Sequence, residues 1–186
     1  ISGIDTAGPE NAPIFKKHPY LRHYYQMAGA RKMRRKCHTA ELLNDWTEDE
    51  LAYVLEVLQP ELLGHGIQIH RFPKLMKLAS SKKTQLEICL RSNLATGVVR
   101  SLKDFKRILR ILEEYQIQFD FHTDATFLLE TDITQEHALA ETIRQGAHFA
   151  EDEDDAEEEE LVTKREGARP LVAAAPAPAE EEEEEE

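Results

Sequence analysis

Hydrophobic residues recur along the middle of the chain at the three- and four-residue spacing of an amphipathic helix. Thr47 and Glu50 form a capping-box pattern, which places the start of one helix near Glu48. That helix is predicted to end by about Leu63, before two glycines that can adopt positive φ. Its apolar stripe consists of Leu51, Val54, Leu55 and Leu58.

The same spacing predicts further helices downstream. The strongest pattern follows Ser101, which with Asp104 forms a helix N-terminus ahead of an apolar face. No segment shows a convincing alternation of apolar and polar residues, so no strand is predicted. The remaining predicted helices cover about 73–81 and 84–94, and two short ones near the end are capped by Thr123 and Thr134 and finish near Gly146.

Two similar connectors separate these helices. Ile67-Gln68-Ile69-His70 and Ile117-Gln118-Phe119-Asp120 lie 50 residues apart, and each precedes a short apolar segment. Paired helices with similar connectors suggest a solenoid, in which each pair buries its apolar face against its neighbours. The predicted fold class is therefore all-α, with short helical hairpins stacked as a solenoid.

Charge divides the chain into segments. Residues 151–186 carry 17 Asp and Glu against 3 Lys and Arg, a net charge of −14, whereas the other 150 residues are close to neutral. Such an acidic, low-complexity tail is expected to be disordered. The predicted segments are an extended arm at 1–15, a basic tyrosine-containing helical segment at 16–45, a helical-repeat core at 46–148 and an acidic tail at 149–186.

The basic segment is the main candidate for binding a partner. Between Lys16 and Lys36 it holds eight Lys and Arg and no acidic residue. It could dock on an acidic protein surface with tyrosines as anchors, bind single-stranded RNA, or form a solvated helix face. The tethered acidic tail would compete with RNA for the same cations. The candidate partner-binding residues are Tyr20, Tyr24, Tyr25, Arg31, Lys32, Arg34 and Arg35.

Catalytic chemistry finds little support in the sequence. Of the eight histidines, His65 and His70 are close neighbours that flank a turn, without a partner at metal-ligand spacing. Surface or capping roles are therefore predicted for the histidines, and no metal or cofactor is predicted. No nucleotide-binding glycine loop or nucleophile motif is present, so the sequence predicts a protein that is not an enzyme.

Residues 116–143 resemble the pentatricopeptide-repeat family. Ile117, Asp120 and Thr123 match the turn and helix cap between two repeats, and Glu136-His137-Ala138-Leu139 matches the opening of a second helix. Phe119 replaces the usual proline, and the recognisable turns are 50 residues apart instead of about 35. The resemblance covers roughly residues 48–146 and implies a stack of helical hairpins.

Size, helix layout and a start at Ile1 instead of Met make the chain similar to pentatricopeptide-type extra subunits on the catalytic head of mitochondrial ATP synthase in euglenozoan protists. That resemblance implies a non-catalytic accessory subunit that contacts the ATP synthase alpha subunit. It also implies a location in the mitochondrial matrix or peripheral to the inner membrane, without membrane insertion. The alternative is an RNA-binding protein of the same family in the mitochondrial ribosome or RNA-processing machinery.

Overall fold

The computed structural model describes residues 2–124, 126 and 132–145. Strands and helices alternate along this part of the chain. The strands are β1 (Gly3–Thr6), β2 (Arg34–Thr39), β3 (Leu62–His65), β4 (Gln85–Ile88) and β5 (Gln118–Phe121). The α-helices are α1 (Tyr20–Ala30), α2 (Thr47–Tyr53), α3 (Pro73–Lys82), α4 (Leu90–Ala95), α5 (Leu102–Glu114) and α6 (Ile133–Gln145). A π-helical turn, Val54–Leu58, extends α2, and a 3₁₀-helix, Ile67–Arg71, follows β3.

The five strands form one parallel sheet in the order β1-β2-β3-β4-β5. Parallel neighbours cannot be joined by a tight turn, so a crossover segment must return the chain to the starting edge of the sheet. Here helices lie in each of these crossovers. The prediction of an all-α solenoid with an extended N-terminal arm is therefore wrong, because β1 belongs to the sheet and the core is α/β. Strands in sequential order with intervening helices are the arrangement of an α/β barrel.

The sheet has two chemically different faces. In register across it, Cys37, Leu63 and Leu86 are fully buried and contribute to the hydrophobic core. The other face carries charged side chains, since Lys36 forms ion pairs with both Asp5 and Glu87. Because successive side chains of a strand point to opposite faces, this division follows from the sequence of each strand.

Helices cover the apolar face. Helix α5 contributes four buried side chains, and Ser101 Oγ caps it by accepting a hydrogen bond of 3.0 Å from the Asp104 N–H. The buried side chains of α5 are Phe105, Ile108, Leu109 and Leu112. No helix in the described part of the chain is long and apolar enough to cross a membrane.

The helical spacing located several helices correctly. The helix predicted at 73–81 is α3, and the Ser101 cap and amphipathic face of α5 agree with the structure. The predicted helices 48–63 and 84–94 each included residues of a strand, because β3 and β4 have only four residues and lie next to a helix. The helix predicted after Thr123 falls mostly outside the described residues, as does the acidic tail. The last helix starts at Ile133, where Asp132 Oδ1 accepts from Gln135 N, so Thr134 is not its cap.

Leu86 tests the packing of the apolar face. Its side chain is fully buried in the central part of the sheet, so Leu86→Ala leaves a cavity and should lower the free energy of unfolding by about 2–5 kcal/mol. Leu43 is 51% exposed and provides a matched control, for which the same change should stay within about 0.5 kcal/mol. Urea denaturation measures both. Equal losses for the two variants would contradict the assigned core.

Candidate active site at the carboxyl ends of the strands

Side chains with acid–base chemistry follow the carboxyl ends of the strands. His38 is the next-to-last residue of β2, and Glu41 follows that strand. His65 is the last residue of β3, and Asp124 comes three residues after the end of β5. In a parallel sheet these ends share one edge, where α/β barrels place their catalytic groups. The side chains lie within reach of one another at this edge although the sequence separates them by up to 86 residues.

His65 is the centre of this group. Its imidazole Nε2 lies 3.6 Å from Glu41 Oε2 and 3.9 Å from Asp124 Oδ2. The Nδ1 atom lies 3.2 Å from the Asn93 side-chain nitrogen. The residue is 4% exposed. A buried imidazole between two carboxylates is an arrangement suited to moving a proton.

The backbone around His65 is held in an unusual conformation. His65 has φ 58° and Gly66 has φ 64°, two consecutive left-handed residues. The Gly66 N–H donates to Thr39 O at 3.1 Å, and the Gln68 N–H donates to Ala40 O at 2.9 Å. These bonds tie the turn after β3 to the end of β2. A left-handed non-glycine residue is strained, and such strain is common at functional sites.

The protonation states of His65 and Glu41 suit a base and an acid. Burial lowers the pKa of His65, partly opposed by the Asp124 carboxylate, so the imidazole is neutral at pH 7. Burial raises the pKa of Glu41, and the Asp124 charge raises it further. A neutral imidazole therefore faces a carboxyl group that holds its proton more tightly than an exposed one would.

A second carboxylate fixes the backbone of Glu41. The Glu10 side chain accepts hydrogen bonds from the Leu42 N–H at 2.7 Å and from the Glu41 N–H at 3.3 Å. Gln68 donates to the Glu41 carbonyl oxygen at 3.2 Å. Burial raises the pKa of Glu10 as well. The loop that carries Glu41 is thus bound to the segment after β1 and to the turn after β3.

His38 requires a glycine opposite it. His38 and Gly64 are partners in the register of β2 and β3, and a Cβ on Gly64 would lie 2.3 Å from His38 Cδ2. Its Nδ1 lies 3.2 Å from Asp5 Oδ1, and the rings of His38 and His65 are 5.8 Å apart. Gly64 therefore leaves the space that lets this imidazole lie over the sheet beside His65.

A narrow cleft with a cavity volume of about 20 Å³ adjoins His38. Ile14, Phe15 and Trp46 contribute apolar side chains to its wall, and Glu10 contributes a carboxylate. Within the described part of the chain, no group of three or more His, Cys, Asp or Glu side chains is placed so that it could hold a metal ion.

The partner-binding residues predicted from the sequence lie elsewhere. Tyr20 and Tyr24, on α1, are 57% and 56% exposed, and Arg31, Lys32 and Arg34 are exposed at and beyond its end. Arg35 pairs with Glu61 at the amino end of the sheet, opposite the edge that carries His65. Partner binding by this segment stays a prediction. Tyr25 is buried, and its hydroxyl is used inside the protein.

The sequence interpretation missed His38, Glu41, His65 and Asp124. The helical pattern predicts a helix end by about Leu63 and an extended connector from Ile67, with His65 on one side of a turn. A signal was available in the sequence: each of these polar groups lies in or just after a short segment that contains apolar residues, as expected for the carboxyl end of a buried strand. Without predicted strands, there was no reason in the sequence to expect these four residues to lie close together.

Tyr25 supports the fold through its hydroxyl group. The hydroxyl donates to the Lys36 carbonyl oxygen and lies 3.1 Å from Thr6 Oγ1 and 3.0 Å from Cys37 Sγ. Tyr25→Phe removes these hydrogen bonds and should lower the free energy of unfolding by about 1–3 kcal/mol. Tyr24→Phe, at an exposed tyrosine of the same helix, is the control and should change it by less than about 0.5 kcal/mol. Thermal or urea unfolding distinguishes the two, and equal small effects would contradict this role.

Glu41 should make the protein less stable as the pH rises. Because its folded-state pKa is raised, the unfolded chain loses this proton first, and stability falls as the pH increases from about 4.5 through the folded-state pKa. Glu41→Gln removes this titration. The variant should therefore gain stability relative to the wild type as the pH rises, by at most ~1.4 kcal/mol per pH unit.

Urea denaturation at a series of pH values measures this difference. Glu113→Gln, at an exposed carboxylate on α5, is the matched control for the same change of side chain. A Glu41→Gln variant that loses stability relative to the wild type as the pH rises would show that the Glu41 pKa is not raised.

Comparison with known proteins gives the family. The family model described as adenosine deaminase matches residues 1–156. The aminodeoxyfutalosine deaminase of Streptomyces coelicolor is 29% identical over 142 residues, which are 75% of this chain and 34% of that protein. The aminodeoxyfutalosine deaminase of Acidothermus cellulolyticus is 31% identical over 90 residues, 48% of this chain and 25% of that protein. The chain thus spans about a third of the length of the first of these relatives.

Solved structures show the same fold. The N6-mAMP deaminase of Arabidopsis superposes with a TM-score of 0.62 at 22% identity, over 88% of this chain and 50% of that one. The adenine deaminase of Arthrobacter aurescens gives a TM-score of 0.53 at 20% identity, over 90% of this chain and 53% of that one. The chain spans about half the length of these structures, and its fold is the TIM-barrel-like α/β fold of deaminases.

The functional predictions drawn from the resemblance to pentatricopeptide repeats are wrong. Neither a non-catalytic subunit of ATP synthase nor an RNA-binding repeat protein agrees with these matches, and the prediction that the chain is not an enzyme fails with them. The parallel sheet excludes stacked helical hairpins. With its family model matching 156 of 186 residues, the chain belongs to the adenosine deaminase family.

Proposed function

We propose that this protein takes part in hydrolytic deamination of an adenine-type compound, with Glu41 as general acid and His65 as general base. The observation that supports this most directly is the contact between a neutral, buried imidazole and a carboxyl group of raised pKa, 3.6 Å apart. Family membership supplies the reaction class. The side-chain geometry supplies the roles.

Hydrolytic deamination needs one proton donor and one proton acceptor. Water adds to the ring carbon that bears the amino group, and the neighbouring ring nitrogen accepts a proton. The carbon–nitrogen bond then breaks, the amino group leaves as ammonia, and a carbonyl group remains on the ring. Water is consumed and ammonia is released in equal amounts, with no oxidant or reductant. An acid–base pair at one edge of the sheet is therefore the chemical requirement that this chain can meet.

Glu41 is the group suited to donate the proton. Burial and the nearby Asp124 charge raise its pKa, so it holds a proton nearer to neutral pH than an exposed glutamate does. The loop that carries Glu41 is fixed by two hydrogen bonds, one from the Leu42 N–H to the Glu10 carboxylate and one from the Gln68 side chain to the Glu41 carbonyl oxygen. A fixed donor loses little freedom when the substrate binds, so a proton on Glu41 can be directed at the ring nitrogen.

His65 is the group suited to accept the proton of water. Its lowered pKa keeps the imidazole neutral and able to accept. After proton transfer it becomes an imidazolium, and the Asp124 carboxylate at 3.9 Å stabilises that charge. Ser92 Oγ donates to Asp124 Oδ2 at 2.8 Å and holds this carboxylate beside the imidazole.

The names of similar proteins guide the choice of substrates. They describe deamination of aminodeoxyfutalosine, of N6-mAMP and of adenine. In each of these compounds the nitrogen is attached to an adenine-type ring. Trp46, a partly exposed aromatic side chain that lines the same cleft as His38, is suited to stacking on a flat ring of this kind.

Ammonia release from a panel of substrates tests the proposal. The panel consists of adenine, adenosine, AMP, N6-methyl-AMP and aminodeoxyfutalosine, incubated with the full chain. At least one should release ammonia or methylamine together with a 6-oxo product, because water replaces the amino group. Glu41→Gln and His65→Asn should each lower the rate by about 100-fold or more, since each removes one proton-transfer group.

Two matched variants serve as controls for this experiment. Glu113→Gln changes an exposed carboxylate and His23→Asn changes an exposed histidine, both away from the strand ends. Both should keep the wild-type rate. Release that persists at the wild-type rate in Glu41→Gln and His65→Asn, or no release by the wild-type chain from any substrate of the panel, would contradict the proposal.

A further inference from the structure

Asn93 lies between the two groups of the proposed acid–base pair. It is fully buried near the start of α4. Its Nδ2 atom lies 3.2 Å from His65 Nδ1 and 3.4 Å from Glu41 Oε1. Its Oδ1 atom has no hydrogen-bond partner among the described residues. A buried amide that contacts both groups, with one end unsatisfied, needs an explanation beyond packing.

We propose that Asn93 is a positioning residue whose amide couples the protonation of Glu41 to the tautomer of His65. The amide nitrogen can only donate and the amide oxygen can only accept. Which of them faces the pair therefore decides which hydrogens His65 and Glu41 can carry there. The inference rests on the proposed function for its catalytic meaning, whereas the coupling itself is a property of the folded chain.

In the orientation of the structure, the amide nitrogen faces both groups. It donates to His65 Nδ1, so a neutral imidazole carries its hydrogen on Nε2, the atom that faces Glu41 and Asp124. It also donates to Glu41 Oε1, which favours the ionised carboxylate. In this state the acid has lost its proton and the base has no lone pair on Nε2, so the pair is not ready to react.

Rotating the Asn93 amide by 180° reverses both the preferred tautomer of His65 and the preferred protonation state of Glu41. The oxygen then accepts a hydrogen from His65 Nδ1, which leaves the lone pair on Nε2, and accepts another from a protonated Glu41. This second state has a proton on the acid and a lone pair on the base together. Because Oδ1 has no partner in the first state, the turn breaks no hydrogen bond at that end of the amide.

Other charged groups around His65 and Glu41 bias these two states. Asp124 faces both from the segment after β5, His38 faces them from β2, and Glu10 acts on His65 from the segment after β1. Asp5 contacts His38. These charges shift the pH at which Glu41 takes up its proton. None of them contacts His65 Nδ1, so the tautomer is set on that side by Asn93.

The start of α4 is rigid enough for this role. Glu136, on α6, is 1% exposed and its carboxylate accepts from the Leu90 N–H at 2.9 Å and the Arg91 N–H at 3.4 Å. The adjacent Ser92 holds Asp124. With the backbone of α4 fixed in this way, rotation of the Asn93 amide is the simplest change available between the two states.

Nuclear magnetic resonance measures the His65 tautomer directly from the imidazole nitrogen shifts. The measurement uses the full chain labelled with nitrogen-15, and His65→Gln identifies the signals by their loss. In the wild type, the fraction of hydrogen on Nδ1 should rise as the pH falls through the titration of Glu41. In Asn93→Ala this rise should be absent, although Glu41 still titrates. Asn11→Ala, at an exposed asparagine, should behave like the wild type.

Asn93→Asp gives a second test should Asn93→Ala fail to fold. An ionised carboxylate at this position can only accept, so His65 should keep its hydrogen on Nδ1 wherever this carboxylate is ionised and the imidazole is neutral. A tautomer change that is the same in the wild type and in either Asn93 variant would overturn the proposal, as would a single His65 tautomer in the wild type across the Glu41 titration.

Activity separates this inference from the proposed function. If the chain releases ammonia, Asn93→Ala should lower kcat at least 10-fold with little change in KM and should shift the acid side of the pH profile. A chain that shows the tautomer coupling but no ammonia release refutes the proposed function and leaves the coupling intact. Ammonia release with an unchanged kcat and pH profile in Asn93→Ala refutes the coupling and leaves the proposed function intact.

Discussion

The parallel direction of the five strands is the constraint on which the site depends. Because every strand runs the same way, every strand ends at one edge, and residues far apart in the sequence meet there. His65 thereby contacts Glu41 from the loop after β2 and Asp124 from the segment after β5. A single antiparallel strand in the series would move its chemistry to the opposite edge.

Buried carboxylates that bind backbone N–H groups hold this edge together. Glu10 binds the loop of Glu41, Glu50 accepts from the Phe15 and Lys16 N–H groups, and Glu136 binds the start of α4. Each of these contacts joins segments at least 31 residues apart in sequence. A charge-assisted hydrogen bond to a backbone N–H is stronger than a neutral one. The acids at this edge thus divide into those that fix the backbone and those, Glu41 and Asp124, that face the imidazole.

Helical spacing predicted α3 and α5 from the sequence because each shows one apolar stripe along its whole length. It failed for the strands for a physical reason. A four-residue strand has two side chains on each face, too few to distinguish a period of two from one of 3.6. Leu62 and Leu63, which begin β3, therefore fell within the predicted end of the preceding helix. The two connectors that suggested repeats are a 3₁₀-helix at Ile67–Arg71 and a strand at Gln118–Phe121, so their similarity has no structural meaning. Because the site exists only through strand pairing, none of its residues could be assigned before the sheet was known.

The two thiols are shielded in two ways at once. Cys37 and Cys89 are unpaired and buried, and burial raises the pKa of each thiol to about 12. Alkylating reagents need both access and a thiolate, and the folded protein offers neither at neutral pH. Modification of either sulfur at neutral pH therefore requires the chain to open first. The rate of alkylation therefore measures how often the sheet opens locally. Cys37 reports opening at β2, and Cys89 reports opening at the junction between β4 and α4.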